Sequence, residues 1–271
     1  MPERVDRFLR TYMARQPRTG PTMLMGLIWF GVLTVVALVA SLVGSAPLAV
    51  FFGLVGALAA MQAGRAWRSA RAKINQPLAG IGVLFLPIAS LAGNRMFAVA
   101  LLVFVAATLV LGQNLKPAAG AFSTSAIAAN LVVASATLRV SLPLGVVGAS
   151  VVQVERVSWM SLALLIAVVS VYDAGHYLIG STSSARFAGI AAGLGGNVVV
   201  ALVAAAVNPS PFETDGAARL ITVLAALTCP LGQWLGTFML PNALAKAPAL
   251  RRLDSWLIAG PLLWAATAIA S

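Results

Sequence analysis

Two short stretches hold most of the residues in the C-terminal half that could take part in chemistry. One is Tyr172-Asp173-Ala174-Gly175-His176-Tyr177; the other is Leu250-Arg251-Arg252-Leu253-Asp254-Ser255. Asp173, His176 and Tyr177 stand at i, i+3 and i+4, so a helix would put them on one face. Each stretch adjoins or interrupts an apolar run. A carboxylate there costs about 2.5–3.5 kcal/mol at the centre of a bilayer, and less near its boundary. Asp173 is therefore expected to find a partner, with Arg252 or Arg139 the named candidates, or to bind a cation or polar ligand. Arg139 interrupts a further apolar run, and the same cost makes it a candidate for binding or for a structural ion pair. Lys246 lies just ahead of the second stretch. The one histidine cannot build a histidine metal site alone, and the one cysteine, Cys229, cannot close an intrachain disulfide. Gly-x-Ser-x-Gly, His-Glu-x-x-His and Walker sequences are missing.

The elements that must hold these residues follow from composition. Hydrophobic residues make up 60% of the chain and charged residues 9%, with a mean hydropathy of +0.95. Soluble domains carry about 25% charged residues, so the chain reads as an integral membrane protein. Apolar runs of about 16–25 residues recur along it, the length of a bilayer-crossing helix, and strand-like alternation is missing. The predicted fold is an all-α polytopic membrane bundle of about nine transmembrane helices. The predicted spans are 23–43, 47–64, 77–92, 96–112, 126–152, 157–180, 187–207, 220–240 and 255–270. Arg139 and Pro143 make the fifth either one kinked helix or two. Three regions are delimited: a basic leader over 1–20, a four-helix region over 21–125, and a C-terminal region over 126–271. Gly189, Gly193 and Gly196 are spaced for close helix packing and lack the flanking strand and lysine of a phosphate loop.

The net charge of +11 is topogenic on this reading. Alternating nine spans from a cytoplasmic N-terminus puts the leader, 65–73, Lys116, Arg186 and 246–252 inside, as positive-inside retention requires. Arg95, Arg156, Arg219, Glu213 and Asp215 fall outside. The first helix is expected to stay uncleaved, and Val5, Phe8, Leu9, Tyr12 and Met13 give the leader one apolar helical face for the inner leaflet. The basic residues are not interleaved with stacking aromatics, so nucleic acid is not an expected partner. On this topology Asp173 and Asp254 both approach the cytoplasmic face, where they could form one site.

At these residues the chain resembles the phosphatidate cytidylyltransferases, or CDP-diacylglycerol synthases. Val171-Tyr172-Asp173-Ala174-Gly175-His176-Tyr177-Leu178-Ile179-Gly180 is similar to that family's segment of aspartate, small residues, aromatic and glycine. Leu250 to Pro261 is similar to its closing signature, Leu-Asp-Arg-x-Asp-Ser followed by an apolar helix. The likeness covers about residues 126–271 and rests on Asp173, Tyr177, Gly180, Arg252, Asp254 and Ser255. It implies a helical membrane enzyme that joins CTP to phosphatidate at the cytoplasmic face with divalent metal.

The departures bear on that chemistry. Arg251 stands where the signature has its first aspartate, and Ala247-Pro248-Ala249 replaces a Gly-His-Gly-Gly run. Gly232-Gln233-Trp234-Leu235-Gly236-Thr237 replaces an element that carries two carboxylates. The family's Ser-Pro-x-Lys-Thr-x-Glu stretch has no counterpart between Gly180 and Phe187. Nucleotidyl transfer needs metal to neutralise the triphosphate, and magnesium prefers carboxylate oxygens. The expectation is the family's fold with an altered site: Asp173 and Asp254 as its remnant, with Tyr177, Arg251, Arg252, Lys246 and Arg139 binding anionic phospholipid, or a membrane partner or second copy. No resident cofactor is expected. The alternatives are an active nucleotidyltransferase using Mg2+ and a small-molecule transporter with Asp173 and Arg139 as an intramembrane pair. The expected location is the inner (plasma) membrane.

Overall fold

A computed structural model describes residues 23–70, 73–111, 124–180, 183, 185 and 187–271, and among these residues there is no strand. The described residues form ten helices in order: α1 (Met23–Val43), α2 (Ala46–Ser69), α3 (Gln76–Ser90), α4 (Asn94–Leu111), α5 (Thr124–Val157), α6 (Trp159–Gly180), α7 (Ala188–Val207), α8 (Asp215–Phe238), α9 (Pro248–Leu253) and α10 (Trp256–Ala270). Among the described residues eight segments are long and apolar enough to cross a membrane, with α9 and α10 counted as one. The chain is thus a multi-pass helical membrane protein. The leader, Arg71, Lys116 and Arg186 lie outside the described residues.

α3 has 15 residues, about 22 Å at 1.5 Å per residue, yet it too runs from one end of the bundle to the other. Side-chain hydrogen bonds between loops show this. At one end Asn75, which caps α3, donates Nδ2 to the Leu111 carbonyl at 3.0 Å. Trp67 donates Nε1 to the Met239 carbonyl at 2.8 Å, and Gln62 accepts from the Ala249 amide at 2.9 Å. At the other end Gln153 and Arg156 donate to the Ser90 carbonyl, and Ser161 donates to the Ser210 carbonyl. Ser45 there bonds Glu155. The facing ends of α2 and α3, of α4 and α5 and of α8 and α9 therefore lie at one end, and those of α1 and α2, α3 and α4, α5 and α6 and α7 and α8 at the other. Successive helices alternate in direction, as nine crossings require.

α5 is the axis of the bundle. It packs against α2, α3 and α4 on one side and α10 on another, while α7 joins through α6 and α8. It is one helix of 34 residues that runs through both Arg139 and Pro143, which decides between one helix and two. Arg139 is also not in mid-span. Its guanidinium donates to the Phe238 carbonyl, and Thr137 beside it accepts from the Asn75 amide at 3.1 Å. Both partners sit at the α2–α3 end. From Arg139 onward α5 still has the 18 or so residues, about 27 Å, that a crossing needs.

Bare surfaces let the helices approach closely. A Cβ on Gly193 would lie 2.7 Å from the Tyr172 carbonyl oxygen, and one on Gly196 would lie 2.8 Å from Val171. Gly189 likewise faces His176 and Gly180, whereas Gly195 faces open space. The α6–α7 contact is thus the small-residue packing face predicted from the spacing. Asn197 fastens it, donating to the Val168 carbonyl at 3.1 Å.

Candidate functional site

The two stretches meet. Ser255 Oγ donates to Asp173 Oδ1 at 2.5 Å, joining the start of α10 to the last two turns of α6. Sequence fixes the spacing within each stretch, but this contact spans 82 residues and depends on α8 wedging beside both. α8 comes close because two of its positions are glycine. A Cβ on Gly236 would stand 2.6 Å from the Asp254 Cβ, and one on Gly232 would strike the Asp254 carbonyl oxygen.

A polar chain grows around that contact. Tyr172, fully buried, and Gln233 of α8 are joined at 3.1 Å between Oη and Oε1. Gln233 Nε2 reaches Ser255 Oγ at 3.4 Å, which relays to Asp173. Asp254 is 2% exposed and has its own cation, with Arg251 Nη1 3.6 Å from Oδ2. Arg251 is held from two further sides. It donates to Thr237 Oγ1 at 2.9 Å and to the Ala243 carbonyl at 3.1 Å. Arg252 lies within Coulombic range of Asp173, Asp254 and Tyr177. One of its Nη atoms is buried without a hydrogen-bond partner, as is Trp256 Nε1.

Of the residues predicted from sequence, Asp173, Tyr177, Arg251, Arg252 and Asp254 gather here. Lys246 is exposed on the neighbouring loop. Arg139 does not pair with Asp173. It sits on the opposite flank of α8, with its guanidinium carbon 5.0 Å from the centre of the Trp67 ring. The contribution of Tyr172, Gln233 and Thr237 was not drawn from the sequence. In the sequence Gln233 stands at one of the two missing carboxylates, Thr237 only follows the other, at Gly236, and Tyr172 is only a neighbour of Asp173.

The donor set does not fit a pair of divalent cations. Hard cations take several free carboxylate oxygens. Here Asp173 accepts from Ser255, Asp254 faces a guanidinium, and Gln233 offers an amide where a carboxylate would be needed. Among the described residues no three histidine, cysteine or acidic side chains converge. The arrangement is instead rich in N–H donors, which is the chemistry of anion recognition. No family model, curated protein or solved structure matches this chain.

Proposed function

We propose that this chain is a membrane bundle of the cytidylyltransferase type in which an internal arginine–aspartate pair has replaced the metal site, and that its basic end binds anionic phospholipid headgroups. The observation that carries the reading is the position of Arg251, 3.6 Å from Asp254 and tied to Thr237 and Ala243. A guanidinium held there opposes a metal dication at the closest carboxylate, and a pair left buried without its cation would be strongly unfavourable. Arg252, with an unpartnered Nη, and the exposed Lys246 provide donors for phosphate oxygens.

Charge distribution supports the same reading. Among the described residues Arg65, Arg68, Lys73, Arg139, Lys246, Arg251 and Arg252 lie at the α2–α3 end, with Asp173 and Asp254 as the carboxylates. Arg95, Arg156 and Arg219 at the other end are matched by Glu155, Glu213 and Asp215. Positive-inside retention makes the first end cytoplasmic, in the inner (plasma) membrane. Each lysine or arginine close to an anionic leaflet adds about 1 kcal/mol of attraction.

A second reading, an active nucleotidyltransferase, draws support from the meeting of Asp173 with the 254–255 segment. One preparation tests both. Purified protein with labelled CTP, phosphatidate and Mg2+ or Mn2+ is expected to form no CDP-lipid. Formation that disappears in Asp254→Asn would overturn the altered-site reading. In reconstituted membranes, spin-labelled phosphatidate is expected to be immobilised in preference to phosphatidylcholine, less so at high salt and in the K246Q/R252Q double variant. Equal immobilisation of the two lipids would overturn lipid recognition.

A further inference from the structure

Pro143 has no amide hydrogen, so the Arg139 carbonyl one turn earlier in α5 loses its helical donor and the helix loosens there. α5 and α8 each pack extensively along α10 but scarcely touch one another. Between them lies a cavity of about 320 Å3, bounded by Arg139, Leu142 and Pro143 on α5 and by Leu235, Phe238 and Met239 at the end of α8. Leu231 and Trp234, on the same helix as Leu235 and Phe238, are exposed on the outer face of the bundle. The cavity therefore has apolar walls next to a lipid-facing surface, and its only charged lining residue is Arg139.

Arg139 has one hydrogen bond, to the Phe238 carbonyl, and a stacking contact with Trp67, and no carboxylate faces it among the described residues. A guanidinium carries five N–H donors, so this capping contact leaves most of them for another acceptor. Trp67 marks the depth. Its indole bonds the Met239 carbonyl at the loop end of the bundle, where amphipathic rings occupy the headgroup level. An apolar furrow below a cation at headgroup depth matches the form of a phospholipid: hydrocarbon inward, phosphate at the boundary.

We propose that the α5–α8 furrow holds a single anionic glycerophospholipid, with one acyl chain against Leu142, Pro143 and Leu235 and the phosphate on the Arg139 guanidinium. This deepens the lipid-binding reading of the basic end and rests on it, adding a defined site on the flank of α8 away from the Asp173–Ser255 contact. Trp67 holds the guanidinium face, and the edge that does not reach Phe238 meets phosphate oxygens. Bidentate contacts of this kind are charge-assisted.

Native mass spectrometry of the full chain, given equal phosphatidylglycerol and phosphatidylcholine, tests the proposal. The wild type is expected to retain one phosphatidylglycerol with about tenfold preference, one charge-assisted contact being worth about that factor. Arg139→Gln is expected to lose the preference, and Arg139→Lys to keep part of it. Leu142→Trp, which fills the furrow, is expected to lose retention of both lipids. A purely structural Arg139 would lower stability but leave the ratio of the two lipids in the folded fraction unchanged. Wild-type ratios in both Arg139→Gln and Leu142→Trp would overturn the furrow. If K246Q/R252Q lowered the preference in that case, the broader lipid reading would stand without it. Complete displacement by inorganic phosphate would also overturn it, since a phosphate site needs no acyl furrow.

Discussion

Replacing Gly236 with alanine puts one methyl group where α8 meets the 254–255 segment. The added carbon would stand 2.6 Å from the Asp254 Cβ and 3.6 Å from its Cα, while ordinary van der Waals contact begins near 3.4 Å. Asp254 Cβ is fixed to the backbone, so relief requires the start of α10 to back away by about 1 Å, the sort of shift that overpacking forces. Ser255 Oγ lies 2.5 Å from Asp173. The same shift lengthens that bond past the 3 Å or so at which O–H···O bonds fade. Overpacking costs about 1–3 kcal/mol, and a hydrogen bond to a charged group about 1.5–3 kcal/mol. Both arise from one displacement, so the expected loss is about 3 kcal/mol rather than their sum. At about 2–4 °C per kcal/mol for a chain of this size, the midpoint should fall by about 6–12 °C. The assay is thermal unfolding of the purified protein in detergent, with Gly195→Ala as control. No atom lies within 4 Å of a Cβ at Gly195, and alanine favours a helix over glycine by about 1 kcal/mol, so the control should hold or gain. Gly236→Ala with a midpoint equal to the control's would refute the argument that this glycine sets the distance between α8 and the site.

Other outcomes follow from the same geometry. Asp254→Leu leaves Arg251 without its carboxylate and should cost about 3–5 kcal/mol, whereas the double change with Arg251→Met should recover most of it; denaturation midpoints of the two proteins check this. Ser255→Ala removes the donor to Asp173 and should cost about 1–3 kcal/mol, with Asp173→Asn partly compensating in the double variant. Single cysteines at Ala70, Thr214 and Leu244, all exposed, report topology against a background in which Cys229 is buried. An impermeant thiol reagent added outside intact cells should label Thr214→Cys alone, and labelling of Ala70→Cys would reverse the orientation.

The class of the protein and the approximate bounds of its helices were present in the chain itself. A bilayer demands long apolar runs and closed backbone hydrogen bonding, so composition and run length suffice to find the spans. The C-terminal bound of the first span, Val43, agrees with the sequence reading. Helix ends were read less well where polar residues continue the helix, as in α2, which runs through Arg65 and Arg68 to Ser69. The small-residue face of α7 was legible because its glycines recur at helical spacing. The sequence also suggested that Asp173 and Asp254 approach the same face, since alternation of spans follows from counting.

The tertiary structure decided what those residues touch. Arg139 read as a charge in mid-span because apolar residues flank it on both sides. Only the length of α5 and its contacts with Trp67 and Phe238 place it at the loop end. Linear hydropathy cannot show that a helix extends past its neighbours. The partners of Asp173 were equally beyond reach: the nearest candidates in charge were arginines, yet the hydrogen bond is to Ser255. Gln233 looks like a loss in sequence and Thr237 like a bystander, yet both are contacts, one to Ser255 and one to Arg251. Side-chain chemistry limits which bonds are available, but which donor meets which acceptor is set by how closely the helices approach, and here two glycines on α8 set that distance.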